Sequence, residues 1–420
     1  MPFIYHNTII KKRKINRINN VKIMKTTSSK LLGTALILAT ILTTSCSNND
    51  DNPTEENGGT SFVLDRENLT GEIKDGEVIL ESGTYKLTGK LIVNAGAKLT
   101  IKEGVKIEAT AVSSEDFASV RYIAVAQNGK IDVQGSASKP VVMTASVQSP
   151  GQWGGLVLCG NAPINKGTSA SAEVSDLNYG GGDASDSSGS IKYLRIEYSG
   201  FSYNSEKEFN GLSLFGVGSG TTIEYVQVHE GSDDGVEFFG GTANAKYVVV
   251  TNFSDQVGDD LFDWTEGWSG TGENWYGIRT NAGNRGIEAD NNSNNHLATP
   301  ISNPIIKNLT LIGMGAADTS SESQAIKLRV GTKAQFDNLV LSNWKTGFDI
   351  QHDEGIAYVT DGTLAATNVK FDSVTTLSIG KNTAGDSFDV SSVYSINENA
   401  TGAGNGTAKP TWANGWTVGL

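Results

Sequence analysis

From His229 to Ser293 the chain carries 12 Asp or Glu against 3 Lys or Arg. Carboxylate oxygens at that density suit a hard divalent cation. They also recur in pattern. Asp233-Asp234 and Asp259-Asp260 occupy matching positions in Gly-flanked turns. The triplets Val236-Glu237-Phe238, Phe262-Asp263-Trp264 and Ile287-Glu288-Ala289 each place an acid between two apolar residues, and Asp290 follows two residues after Glu288. If the triplets stack as strands about 4.8 Å apart, Glu237, Asp263 and Glu288 form a ladder flanked by the other five acids. Carboxylates that close must stay partly protonated or share a cation. Ca²⁺, with about six to eight oxygen ligands, is the expected ion, held between coils because no EF-hand spacing is present. The competing reading is Asp and Glu capping Gly-rich turns through local backbone amides.

Two catalytic chemistries fit these residues. Lys327 and Arg329 are expected on the same face as the ladder, so a carboxylate-held Ca²⁺ would neutralise a uronate while a basic residue of lowered pKa took the C5 proton, as in a polysaccharide lyase. Alternatively, Asp263 would pair with Glu237 or Glu288 as the two acids of a glycosidase, adjacent rungs suiting the roughly 5 Å separation of a retaining enzyme. The Asn-Thr-Asp, Gly-His-Gly and Arg-Ile-Lys signatures of pectin hydrolases are absent. Phe239, Trp268 and Tyr276 are expected as exposed platforms for sugar rings, whereas alternation turns Phe238 and Trp264 inward. His229, His296 and His352 form no triad motif, Cys159 reads as a small buried hydrophobe, and Tyr179-Gly-Gly-Gly-Asp lacks the Lys of a phosphate loop. The long polar stretch 166–189 reads as a mobile loop or a lid.

Positioning these residues requires a repeat, and one is present. Ile191-Lys-Tyr-Leu-Arg-Ile aligns with Ile223-Glu-Tyr-Val-Gln-Val, Ala245-Lys-Tyr-Val-Val-Val, Ile306-Lys-Asn-Leu-Thr-Leu, Phe336-Asp-Asn-Leu-Val-Leu and Ala366-Thr-Asn-Val-Lys-Phe. A degenerate member near Trp275 fills the one double-length interval. A second rung follows each first one, and its middle residues give an outward column: Ser213, Glu237, Asp263, Glu288, Lys327, Asp349, Ser378. Upstream, Leu91-Ile-Val, Leu99-Thr-Ile and Val105-Lys-Ile recur as Ile123-Ala-Val, Ile131-Asp-Val and Val141-Val-Met. A period near 30 residues built of strands alone marks a solenoid. Three faces per coil predict an all-β fold over 61–420, a single right-handed parallel β-helix.

The start of the chain has a different character. Residues 1–45 hold eight Lys or Arg and no acid, with a short apolar run from Leu31 to Leu42 ahead of Thr43-Thr44-Ser45-Cys46. That is the pattern of a secretory signal, too short to span a bilayer, with Met24 as an alternative start. Cys46 after small residues matches a lipobox, Thr43 standing where Leu is usual. Residues 46–60 read as a lipidated, flexible tether. The full chain of 420 residues has a formal charge of −13 from 33 basic and 46 acidic side chains. Without the eight basic residues of the leader, 25 remain against the same 46 acids, about −21. A chain that acidic is not a nucleic-acid binder.

Gly151-Gln-Trp-Gly-Gly-Leu-Val-Leu-Cys-Gly-Asn-Ala-Pro-Ile-Asn, Ile191-Lys-Tyr-Leu-Arg-Ile-Glu-Tyr-Ser-Gly, Ser232-Asp-Asp-Gly-Val-Glu-Phe-Phe-Gly-Gly and Asp260-Leu-Phe-Asp-Trp-Thr-Glu-Gly-Trp resemble a family of Bacteroidota surface lipoproteins with a pectate-lyase-like β-helix. The resemblance covers roughly residues 85–380 and implies fold and location without an agreed activity. The expected protein is therefore anchored by lipid to the outer membrane, facing outward, and binds an extracellular glycan through its acidic and aromatic coils. A Ca²⁺-assisted lyase, and an adhesin or accessory subunit of an outer-membrane uptake complex, are the alternatives.

Overall fold

A computed structural model describes residues 59–111, 120–204 and 207–420. The expected leader (1–45), Cys46 and nearly all of the tether lie outside the described residues. From Gly59 onward the described residues belong to one compact unit. It is a solenoid: 25 strands join in one continuous sheet, and successive coils pair in parallel. The architecture is the expected right-handed parallel β-helix.

The register follows the repeat residue for residue. Ile191 pairs with Ile223, Ile223 with Ala245, Ala245 with Gly272, Gly272 with Ile306, Ile306 with Phe336 and Phe336 with Ala366. The degenerate member is thus Gly272-Glu-Asn-Trp275. A Cβ at Gly272 would lie 2.6 Å from the Trp275 ring, so the missing side chain makes room for an indole whose Nε1 donates to Ala245 O at 3.0 Å. In the early coils the second and third faces are separate strands, Lys130–Gln134 and Val141–Ala145. From Gly189 they fuse. Gly189–Lys192 continues the first of them and Leu194–Ile196 the second, with the bend at Tyr193.

That bend is a column of left-handed residues. Tyr193, Tyr225, Tyr247, Asn274, Asn308, Asn338 and Asn368 all have φ between 50° and 60°. Left-handed backbone costs a non-Gly residue about 1–2 kcal/mol, and each half of the column offsets it differently. The tyrosines stack face to face at 4.3 and 4.4 Å. The asparagines link into a ladder: Asn308 Nδ2 donates to Asn274 Oδ1 at 3.1 Å and Asn338 Nδ2 to Asn308 Oδ1 at 2.8 Å. Inside, aliphatic and aromatic columns fill a single core in which Phe238, Trp264, Trp268 and Trp275 are fully buried.

Two elements depart from expectation. His352–Asp361 is an α-helix closed by left-handed Gly362, a short helix with only Gly355 and Val359 buried and so little apolar periodicity to reveal it. Past Ile396 the chain adds no coil. It runs back as a strap over the first rungs, where Gln227 Nε2 donates to Val418 O at 2.8 Å and Val418 N donates to Gln227 Oε1 at 2.9 Å. Trp416, fully buried, packs edge-on against Tyr193 and Tyr225. Trp416→Ala removes this anchor, and truncating a buried Trp costs roughly 3–5 kcal/mol. Limited proteolysis should then cut the strap first and leave the coils intact; a digestion pattern identical to that of the wild type would show that the strap is held elsewhere.

Candidate functional site

The second rung carries the acids, and its columns are in register. Ser213 pairs with Glu237, Glu237 with Asp263, Asp263 with Glu288, Glu288 with Lys327 and Lys327 with Asp349. The expected column therefore holds from Ser213 to Asp349. It slips at the last member: Phe348 pairs with Ser378, and Asp349 with Ile379. No later second-rung strand stacks on that one, so its alternation has no core to satisfy and the register is free to shift by one.

Two residues before each strand, a second column runs parallel: Asn210, Asp234, Asp260, Arg285. Carboxylate oxygens of Asp234, Glu237 and Asp263 lie within 4.8 Å of one another, as do those of Asp233, Asp234 and Asp259, and those of Asp260, Asp263 and Glu288. Every expected ligand except Asp290 thus enters one of three overlapping groups. Glu208, Ser232, Asp233, Asp259 and Asn284 line an open depression of about 310 Å³ beside them. Burial, then the neighbouring Glu237 and Asp234, push the Asp263 carboxyl well above the usual carboxylate range. Burial likewise raises Asp233, Asp234 and Glu237, helped by Glu208 and Asp259 around the first, Asp233 around the second and Glu173 around the third.

Among the described residues, Lys and Arg gather at one end of this face. Arg285 Nη1 lies 3.0 Å from Glu288 Oε1 and 3.2 Å from Asp260 Oδ2, and its other nitrogen meets Glu322. Arg329 pairs with Glu288 at 2.5 Å and Asp290 at 2.7 Å, while Lys327 lies 3.2 Å from Glu322 and 3.7 Å from Glu288. One and two coils earlier, Asp234, Glu237 and Asp263 have no ion pair to Lys or Arg among the described residues; Asn210 donates to Glu237 at 2.6 Å. The guanidinium of Arg285 is the internal cation of the third group.

The aromatic expectation is corrected. Phe239 does point out of the coil, but it stacks on Phe215 at 4.0 Å beneath the hairpin Ala170–Tyr179. Trp268 follows its strand and turns into the core, stacked on Phe238 at 3.9 Å, with Nε1 donating to Ala243 O. Tyr276 points outward from the first rung, where the strap covers it and Thr407 O accepts its hydroxyl at 2.9 Å. The three are 6%, 0% and 3% exposed, so none offers a ring face to a ligand. Within the stretch 166–189, Ala170–Ser171 and Asn178–Tyr179 pair as a hairpin, and Lys166 and the Tyr179 hydroxyl tie the stretch to Glu266 at 2.9 and 2.6 Å. His229 is buried beside Thr251 Oγ1 at 2.8 Å, and Cys159 is buried as expected.

Residues beyond the expected set also reach the face: Glu173, Glu208, Glu322 and Arg285. Arg285 was detectable, since Asn284-Arg285 occupies the place of Asp233-Asp234 and Asp259-Asp260 before the next strand. The others arrive on loops that lie outside the repeat.

A parallel β-solenoid with a charged strand face defines a class of fold rather than a reaction. More narrowly, the family described as the pectate-lyase like β-helix domain matches residues 71–417, and the chain belongs to it. No curated protein and no solved structure matches.

Two outcomes follow from the charge pattern. A carboxyl raised in the folded state binds its proton at pH values where the unfolded chain, titrating near 4, has lost it, so stability falls as pH rises from about 4 toward the folded value. In chelator, the denaturation midpoint should fall across that window more steeply for the wild type than for Asp263→Asn; parallel profiles would count against a raised Asp263. Removing Arg285 leaves Asp260 and Glu288 buried with less countercharge, a change worth roughly 3–5 kcal/mol. Arg285→Ala should therefore be destabilised in chelator and recover with millimolar Ca²⁺, and a loss that Ca²⁺ does not reverse would refute the internal-cation role.

Proposed function

We propose that this protein is a lipid-anchored surface protein of the outer membrane whose β-helix binds an extracellular glycan through a divalent cation, Ca²⁺, on its acidic face. One observation carries the cation. Where the column places Arg285, the carboxylates are neutralised from within; where it places Asp234, the carboxylates of Asp234, Glu237 and Asp263 have no Lys or Arg partner among the described residues, and a cation from outside can take the place of their protons. The donor set fits, being all hard oxygen with the neutral oxygens of Ser232 and Asn284 at hand. A bound ion with carboxylates on one side keeps its remaining positions for hydroxyl or carboxylate oxygens of a ligand in the adjoining depression. The anchor rests on the basic leader, the short apolar run and Cys46.

The lyase alternative needs a basic residue with its pKa lowered. Instead, the hydrogen bond and charge of Asp290, with Glu288, raise Arg329 despite its burial, and Lys327 is committed to Glu322 and Glu288. Binding without turnover is therefore the favoured reading.

Calorimetry with Ca²⁺, followed by retention on immobilised polygalacturonate, alginate, mannan and arabinan with and without chelator, tests it. Saturable Ca²⁺ binding lost in Asp263→Asn, and retention that chelator abolishes, are expected. New ultraviolet absorbance in the polysaccharide would make the protein a lyase. Absence of both Ca²⁺ and glycan binding would leave a structural role, as an adhesin or an accessory subunit of an uptake complex.

A further inference from the structure

A second group of titratable side chains meets at the far edge of the same face. His296, from the loop after Asp290, and His352, at the start of the helix, bring their rings to 4.7 Å, nearly edge to face. Both are half-buried. Each imidazole has one nitrogen engaged, and the two engagements are opposite in kind. The Glu354 carboxylate lies 3.0 Å from His296 Nδ1, so that nitrogen carries the proton, and in the neutral ring Nε2 is an acceptor. The backbone N–H of Val330 donates to His352 Nδ1 at 3.0 Å, so that nitrogen is the acceptor and Nε2 carries the proton. Neither Nε2 has a hydrogen-bond partner among the described residues.

The backbone is bent to make this pair. His352 has φ 73°, a left-handed value that His enters more readily than most residues, and Val330, which orients it, has φ 39°. A β-branched residue at positive φ is an outlier, and strain of this sort persists where surrounding structure imposes it, often at a functional site. A protonated Nε2 on His352 and an unprotonated one on His296 make a poor chelate for a metal, which needs two lone pairs. They suit a hydroxyl, which donates to one nitrogen and accepts from the other.

The pair shares its face with the carboxylates. Asp290 and Arg329, themselves joined, exert their charge both on His352 and on the acidic column at Asp263 or Glu288. Asp349, three residues before His352, stands three rungs from Asp263 in register, an axial separation of roughly 14 Å. We infer that His296 and His352 form a hydroxyl-recognition subsite for a glycan lying along the solenoid axis with its other end at the carboxylate groups. The ligand is then an oligosaccharide or polysaccharide rather than a single sugar. This rests on the glycan-binding reading above.

The test uses the full chain, the same four polysaccharides with Ca²⁺ present, and the variants His296→Ala and His352→Asn, the Asn chosen because it tolerates left-handed backbone. Each variant should bind the retained polysaccharide about 3- to 10-fold more weakly, the size of one hydrogen bond, with Ca²⁺ affinity and thermal midpoint unchanged. Retention equal to the wild type in both variants would overturn the subsite while leaving glycan binding in place. If the wild type retains none of the four, the subsite and the glycan reading fall together. Zn²⁺ binding that both variants abolish would make the pair a metal site and overturn the hydroxyl assignment.

Discussion

Every feature of this molecule depends on parallel strands stacking in register, about 4.8 Å from one coil to the next. Stacking turns a position in the repeat into a column on the solenoid, so a side chain is surrounded above and below by the residues one period away. Apolar columns become the core. A left-handed corner becomes stacked Tyr and laddered Asn. By the same rule, acids at one position in successive coils must face each other at strand spacing, whatever that costs in repulsion.

How much was legible in the sequence follows from this rule. The first-rung hexapeptides repeat strongly enough that their alignment and the observed register agree from Ile191 to Ala366. The acidic column was legible for the same reason, and it failed only at Ser378, where stacking ends. Alternation tells which residues leave the core, however, and not what lies over them. Phe239 and Tyr276 do leave it, but one is roofed by a hairpin and the other by the strap, and neither covering element belongs to the repeat. Trp268 lies beyond its strand, where alternation has no authority. The pairing of Lys327 with Glu322 was hidden for a related reason, because Glu322 comes from a loop.

The face is polarised along the axis. At the coils of Asp234, Glu237 and Asp263, carboxylates outnumber their neutralising partners; at the coils of Glu288, Lys327 and Arg329, the chain carries its own counterions. Two coils of the same sheet therefore differ in what they require from solution. Such a face has a direction, with unpaired carboxylates toward one end and ion pairs toward the other.

The strap has a consequence for how the molecule comes apart. In a solenoid each coil contacts only its neighbours, so unfolding can begin at an end and travel coil by coil. The strap breaks that nearest-neighbour limit, since residues 401–418 bond to Asn338, Thr310, Tyr276, Gln227 and Arg195 in five different coils. Fraying at one coil then loosens a contact shared with the others. A one-dimensional stack becomes a cooperative unit, joined lengthwise by its own final segment.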